Sequence, residues 1–281
     1  MRIGFKLSQT IADLSLLLET WDAGEELEVF DSGWIFDHFV ALGGEPGPSH
    51  EALTLAGALA VRSRRLQLGH LVLGNTYRHP AVVANAAATL DHLAPGRFVL
   101  GLGAGWHEGE HAMYGIPLPP IGERISMLES AVRVIKALFA HPGGVSLDAP
   151  PYRLTDAVLD PPPATPGGPP LWLGTQGLRR GLRIVARHAD GWNSTGDPAA
   201  LVEKRDALLR HCEAVGRDPS EIEISAQTNV RDGHAAALER AAALVEAGVR
   251  HMVLIMPVQQ GPDGLQRLAR EVAEPLRERF G

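Results

Sequence analysis

Residues 80–102 read PAVVANAAATLDHLAPGRFVLGL, and this stretch decides the architecture. Pro80 suits the first turn of a helix, where its missing N–H would have no partner anyway. The helix it opens stops at Pro95-Gly96, and residues 98–102 then form a continuous buried strand. A short apolar run bounded by turn residues fits a strand covered on both faces, as in parallel sheets. Helix, tight turn and buried strand make one unit of a parallel β/α fold.

The unit recurs in both directions. On the N-terminal side, strands are expected at 2–7, 30–37 and 66–73. Thr10 stands where an N-cap belongs, with Asp13 three residues on, ahead of the apolar stripe Leu14, Leu17, Leu18 and Trp21. A Gly/Pro-rich loop over 41–48 leads to Ser49, which is placed to cap a helix over 51–62. On the C-terminal side, Ile125, Leu128, Val132, Ile135 and Phe139 repeat at three and four residues, a buried helix face. Residues 141–170 are rich in Pro and Gly and are expected to hold no regular element, an insertion within one domain spanning 1–281. Strands at 171–174, 191–194, 221–227 and 251–256 then alternate with helices at 178–188, from Asp197-Pro198, at 234–247 and at 265–280. Pro275 is expected to kink the last helix. Eight such pairs predict a (β/α)8 TIM barrel, which leaves no sheet edge to protect.

The chain has 281 residues, 45% of them hydrophobic, and a formal net charge of −7. No concentrated basic face is present, so a nucleic-acid partner is not expected. The longest apolar runs fall short of the ~20 residues a membrane span needs, and no leader peptide is expected. Cys212 stands alone and cannot close an intramolecular disulfide. These features fit a cytoplasmic protein with no membrane partner.

In this barrel class the chemistry sits just beyond the strands' carboxyl ends. There the sequence places Asp37-His38, Asn75, Gly103 to His107, Gly174-Thr175-Gln176-Gly177 and Asn193-Ser194-Thr195. His38 reads equally as an acid/base group, since an imidazole titrates near neutrality, or as a histidine tied to Asp37 or a loop carbonyl for structure. Gly101, Gly103 and Gly105 are spaced G-x-G-x-G, which does not complete the dinucleotide fingerprint. They read as loop glycines or as room for a flat cofactor to approach the backbone. Residues 174–177 precede a helix and suit an anion. Residues 107–111 also read H-E-x-x-H, the spacing that on a helix aims two imidazoles at zinc with Glu108 as base. Gly105, Gly109 and Gly115 interrupt that segment and no third ligand stands out, so no metal site is expected.

With these residues in place, four stretches resemble the luciferase-like flavin and deazaflavin oxidoreductases, in particular their F420-dependent group. They are residues 30–39 (FDSGWIFDHF), 68–80 (LGHLVLGNTYRHP), 89–111 (TLDHLAPGRFVLGLGAGWHEGEH) and 186–193 (ARHADGWN). The resemblance spans nearly the whole chain. It implies a luciferase-like TIM barrel carrying coenzyme F420 over the strands' carboxyl ends. It also implies hydride transfer between the deazaflavin C5 and a small organic substrate, with His38 as acid/base and Asp37 beside it. A cis peptide at Leu71-Val72 under the ring, with Asn75 nearby, is implied in the same way. So are a ring-side loop of Gly103, Gly105, Trp106 and His107, and phosphate and side-chain sites at Gly174, Thr175, Gln176, Gly177, Asn193, Ser194 and Thr195. Two departures stand out. Trp106 occupies the position where sugar-phosphate dehydrogenases of the family carry glutamate, and Thr175 that of a frequent second glycine. FMN with monooxygenase chemistry is the alternative cofactor reading, and a non-catalytic (deaza)flavin-binding barrel the alternative of another class. Family members are often homodimers, though no stripe of this sequence singles out such an interface.

Overall fold

The computed structural model describes residues 1–10, 13–42 and 47–281. β1 (Arg2–Leu7) is followed by α1 (Leu14–Glu26), and β2 (Ser32–Ile35) by α2 (Ala52–Arg62). β3 (Gln67–His70) has a short continuation, β4 (Leu73–Gly74), before α3 (Pro80–Leu93). β5 (Phe98–Gly103) leads to α4 (Glu108–Tyr114) and α5 (Ile121–Ala140), then to β6 (Val145–Ala149) and β7 (Tyr152–Ala157). The alternation resumes with β8 (Leu171–Gly174), α6 (Arg180–His188), β9 (Gly191–Ser194), α7 (Pro198–Val215), β10 (Glu223–Asn229), α8 (His234–Glu246) and β11 (His251–Met256). α9 (Gly261–Leu268) and α10 (Glu274–Phe280) complete it.

Every strand pairing outside β6–β7 is parallel, in the order β3-β2-β1-β11-β10-β9-β8-β5. The sheet closes because β3 also pairs with β5. This is the expected eight-stranded barrel. The deciding strand, β5, is buried at all six positions, as a parallel strand covered by helices outside and packed side chains inside must be. The main core lies between strands and helices. A second cluster of Trp34, Leu71, Val99, Trp172 and Val253 fills the barrel itself, with the two indoles 5.0 Å apart. Above the plugged lumen, a cleft opens at the carboxyl rim.

Several local expectations are corrected. Asp13, not Thr10, caps α1 by accepting the Leu16 N–H at 3.0 Å. Glu51, not Ser49, caps α2 by accepting from the Thr54 N–H at 2.6 Å. In each case the residue directly before the helix brings a carboxylate to the free N–H groups, while Thr10 and Ser49 bridge to each other. The strand expected over 66–73 breaks at Leu71-Val72, whose peptide bond is cis. Residues 43–46 of the loop expected over 41–48 lie outside the described residues.

The insertion over 141–170 does hold regular structure, the antiparallel hairpin β6–β7. Residues 145–149 (VSLDA) alternate in period two, and Ala149, Tyr152 and Leu154 pack into the core. Pro150 and Pro151 fall in the turn, where no ladder N–H is needed. Segment 108–114 is helical despite Gly109, and Gly115 ends it at φ 63° instead of breaking it. The last helix starts at Gly261, earlier than expected. Its irregularity is a π turn, Ala269–Ala273, placed where the Pro275 ring would meet the preceding carbonyls.

Candidate active site

The carboxyl ends of the strands surround a cleft of ≈ 1230 Å³, roomier than the roughly 300–1,000 Å³ usual for small-molecule sites. Asp37, His38, Leu71, Val72, Gly103, Gly105, Trp106, Gly174, Thr175, Gln176, Gly177, Asn193 and Thr195 all line it. Three expected residues stand apart from the lining. Asn75 is buried behind the wall, with its Nδ2 donating to the Tyr152 hydroxyl at 3.4 Å. Ser194 is buried, and its hydroxyl donates to the Thr195 carbonyl at 3.5 Å. His107 caps α4 through Nδ1, which accepts the Glu110 N–H at 3.1 Å.

His38 is tied neither to Asp37 nor to a loop carbonyl. Its Nδ1 lies 2.7 Å from Oε2 of Glu110, a residue with 0% exposure. The Glu110 carboxylate also accepts the Phe39 N–H at 2.8 Å, the Val40 N–H at 3.1 Å and the Tyr77 hydroxyl at 2.6 Å. Burial alone would raise Glu110, but the donors around it hold it below the usual carboxylate range. It is therefore an acceptor only, and His38 must present Nδ1–H to it. Nε2 is left with no protein partner among the described residues, beside a cleft that His38 lines. Burial pushes His38 below its ordinary value, against the opposing pull of Glu110, so the imidazole is neutral near pH 7. The rings of Phe36 and Trp106 stand edge-on to it at 5.4 and 5.6 Å, and Trp106 is 62% exposed.

Asp37 braces the wall. It receives a bidentate pair from Arg78 at 2.6 and 3.0 Å and the Gly74 N–H at 2.9 Å. That ties the end of β2 to the turn after β4.

The floor is the Leu71-Val72 turn. A Cβ on Gly103 would come 2.7 Å from a Val72 methyl, and one on Gly174 3.1 Å from two. A side chain at Gly103 would force Val72 to shift, and one at Gly174 would crowd it, which sequence spacing could not show. Gly105 has φ 76° and faces the Thr76 side chain, which hydrogen-bonds to His111 Nε2 at 2.7 Å. His111 Nδ1 donates to the His107 carbonyl at 2.7 Å. The two histidines of the H-E-x-x-H run thus turn to separate partners. Among the described residues no group of three or more His, Cys, Asp or Glu is arranged to hold a metal.

The opposite wall is polar. Thr175 Oγ1 accepts from the Gly177 N–H at 3.4 Å, and Lys204 donates to Gln176 and to the Thr195 carbonyl. Arg179 and Arg231 line this side, and their guanidinium groups meet no partner among the described residues. One wall is therefore aromatic around His38, and the other offers glycine backbone and unpaired cations. Sequence reasoning missed Glu110, Lys6, Tyr77 and Gln227. A visible signal existed only for Lys6, a charge well inside a strand whose neighbours on both sides are apolar. The Glu110 contact joins positions 72 apart in the chain.

Residues 5–278 match the luciferase-like monooxygenase family, and the chain belongs to it. An F420-dependent glucose-6-phosphate dehydrogenase of Microbacterium testaceum is 31% identical over 97% of this chain and 80% of that protein. A phthiodiolone/phenolphthiodiolone dimycocerosates ketoreductase of a Mycobacterium species is 36% identical, over 61% of this chain and 45% of its own length. An F420-dependent secondary alcohol dehydrogenase, solved with an F420-acetone adduct, superposes with TM-score 0.83 at 20% identity, covering 96% of this chain and 98% of that one. At that identity the likeness concerns the fold.

Proposed function

We propose that this chain is an F420-dependent oxidoreductase that moves a hydride between the deazaflavin C5 and a small organic substrate. The observation that carries the reading is the His38–Glu110 pair, which aims an uncommitted Nε2 at the cleft. The divided cleft supports F420 as the group held there. Its volume has room for a tricyclic ring, a phosphorylated chain and a substrate together. A Cβ added at Gly177 would meet nothing but the Gly181 backbone N within 4 Å, so an anion can approach the backbone there. The cations Arg179 and Arg231 stand on the same side, where a phosphodiester and its carboxylates would lie. The F420-dependent relatives point the same way.

When bound, F420 supplies a carbon acceptor for hydride. The protein supplies the rest. In the oxidising direction, neutral His38 takes the substrate's hydroxyl proton at Nε2 while Glu110 stabilises the imidazolium. In the reducing direction the protonated ring returns it. Phe36 and Trp106 flank the imidazole edge-on during that transfer.

Titration of the ligand-free protein with F420 and with FMN tests the cofactor, and Trp106 beside His38 is the fluorescence reporter. The expected result is micromolar or tighter F420 binding with weak FMN binding. A preference for FMN would move the protein to monooxygenase chemistry, and binding of neither would remove this reading. Full hydride-transfer rate in His38→Ala would overturn the role of His38 alone.

A further inference from the structure

Lys6 is a cation on the cleft floor whose hydrogen-bond partners among the described residues are all neutral. It comes from β1, RIGFKL, and its ammonium reaches the cleft floor. Nζ donates to the Leu71 carbonyl at 2.9 Å and to Gln227 Oε1 at 2.8 Å, both neutral acceptors. It stands 5.0 Å from the centre of the Phe36 ring. Gln227 is oriented by its own commitments. Its Nε2 donates to Asn193 Oδ1, and Asn193 Nδ2 donates to Ser225 Oγ at 2.8 Å. Flipping the Gln227 amide would break that relay, so Oε1 is held toward the lysine.

Arg78, Arg277 and Arg2, which also reach into the fold, have carboxylates in Asp37, Asp31 and Glu223. Lys6 has none among the described residues. The charged groups around the same cleft do not serve. Asp37 is held by Arg78, Glu110 is saturated by four donors, and Arg179 and Arg231 carry the same sign as Lys6. Burial lowers Lys6 to about 7. An ammonium kept there without a counter-ion costs stability, and that cost is offset when an anion arrives.

We propose that Lys6 is the built-in counter-ion for negative charge on the ligand ring, so that the cleft holds reduced deazaflavin more tightly than oxidised. This rests on the F420 reading. In oxidation of a secondary alcohol, the C–H bond breaks and its electron pair leaves with the hydrogen to the ring. The O–H proton goes to His38, and a ketone departs. One negative charge has then been added above the floor, and the Lys6 ammonium matches it.

The test uses the full chain as wild type, Lys6→Met and Lys6→Arg, with anaerobic titration of oxidised and reduced F420. Lys6→Met is expected to weaken the reduced form about tenfold, which for a two-electron couple is about 30 mV, and the oxidised form at most twofold. Lys6→Arg is expected to retain part of the preference. Thermal unfolding without ligand gives an independent reading, because Lys6→Met should melt above wild type once the desolvated charge is gone. Equal loss of affinity for the two redox forms would overturn the charge-matching role, and so would a lower melting temperature of Lys6→Met, which would mark Lys6 as a structural brace for Leu71. If wild type binds neither form, the F420 reading falls, and the proposal with it.

Discussion

At the scale of single residues, the proposed reaction turns on which imidazole nitrogen carries the proton. Glu110 settles it by offering only acceptor atoms to Nδ1 of His38. In the proposed reaction Glu110 is a positioning residue, and Glu110→Gln removes the anion and lets an amide face the ring in either orientation. The expected outcome is a fall in turnover of ~10²-fold or more, with F420 affinity nearly unchanged. Combining it with His38→Ala should cost little beyond His38→Ala alone, because the two act as a unit. Additive losses in steady-state kinetics would mean that Glu110 works elsewhere. Since His38 lies below 6.5, alcohol oxidation should rise with pH through an acidic limb below that value, and ketone reduction should fall over the same limb. A pH–rate profile in each direction measures this. His38 was legible in the sequence from its place beyond a predicted strand. Glu110 was hidden inside a run whose spacing pointed to zinc and to Glu108.

At the scale of elements, the floor is built by a fit between one side chain and two glycines. Val72 fills the barrel mouth, and Gly103 and Gly174 leave room for its methyls. Gly103→Ala should therefore push the 71–72 turn out of place and destabilise by ~1–3 kcal/mol, the usual range for overpacking. In a Val72→Ala background the same change should cost much less, and urea midpoints of the four proteins give the coupling. Equal costs in both backgrounds would remove Val72 as the reason for the glycine. Glycines are visible in any sequence. What each leaves room for is not, since Val72 and Gly174 meet only after β3, β5 and β8 have come together. The hairpin β6–β7 carries a related lesson, because its period-two pattern was present but outweighed by the surrounding prolines.

At the scale of the whole molecule, histidines buried along the barrel link stability to pH. His251 lies between Ser32 Oγ at 2.7 Å and Glu223 Oε1 at 3.0 Å, and His70 contacts the Ala52 carbonyl at 3.2 Å. Burial pushes both below 6.5. Between 6.5 and those lowered values the unfolded chain binds more protons than the folded one, so stability falls as pH drops through that window and levels off beneath it. Each histidine contributes on the order of 1 kcal/mol per pH unit there. Calorimetry should find a lower melting temperature at pH 5.5 than at 7.5, and His251→Gln should flatten the dependence. A melting temperature independent of pH across that range would contradict it.

The sequence by itself determined the barrel, because alternating helical and strand periods are local properties of the chain and eight such units have one closed solution. It also determined which loops crowd the carboxyl rim, since each follows its strand directly. Only the tertiary structure decided how His38 is oriented, what Gly103 and Gly174 leave room for, and that Lys6 faces the cleft without an anion among the described residues. Each of these depends on contacts between residues tens to hundreds of positions apart, and such contacts leave no period or spacing in the chain to be read.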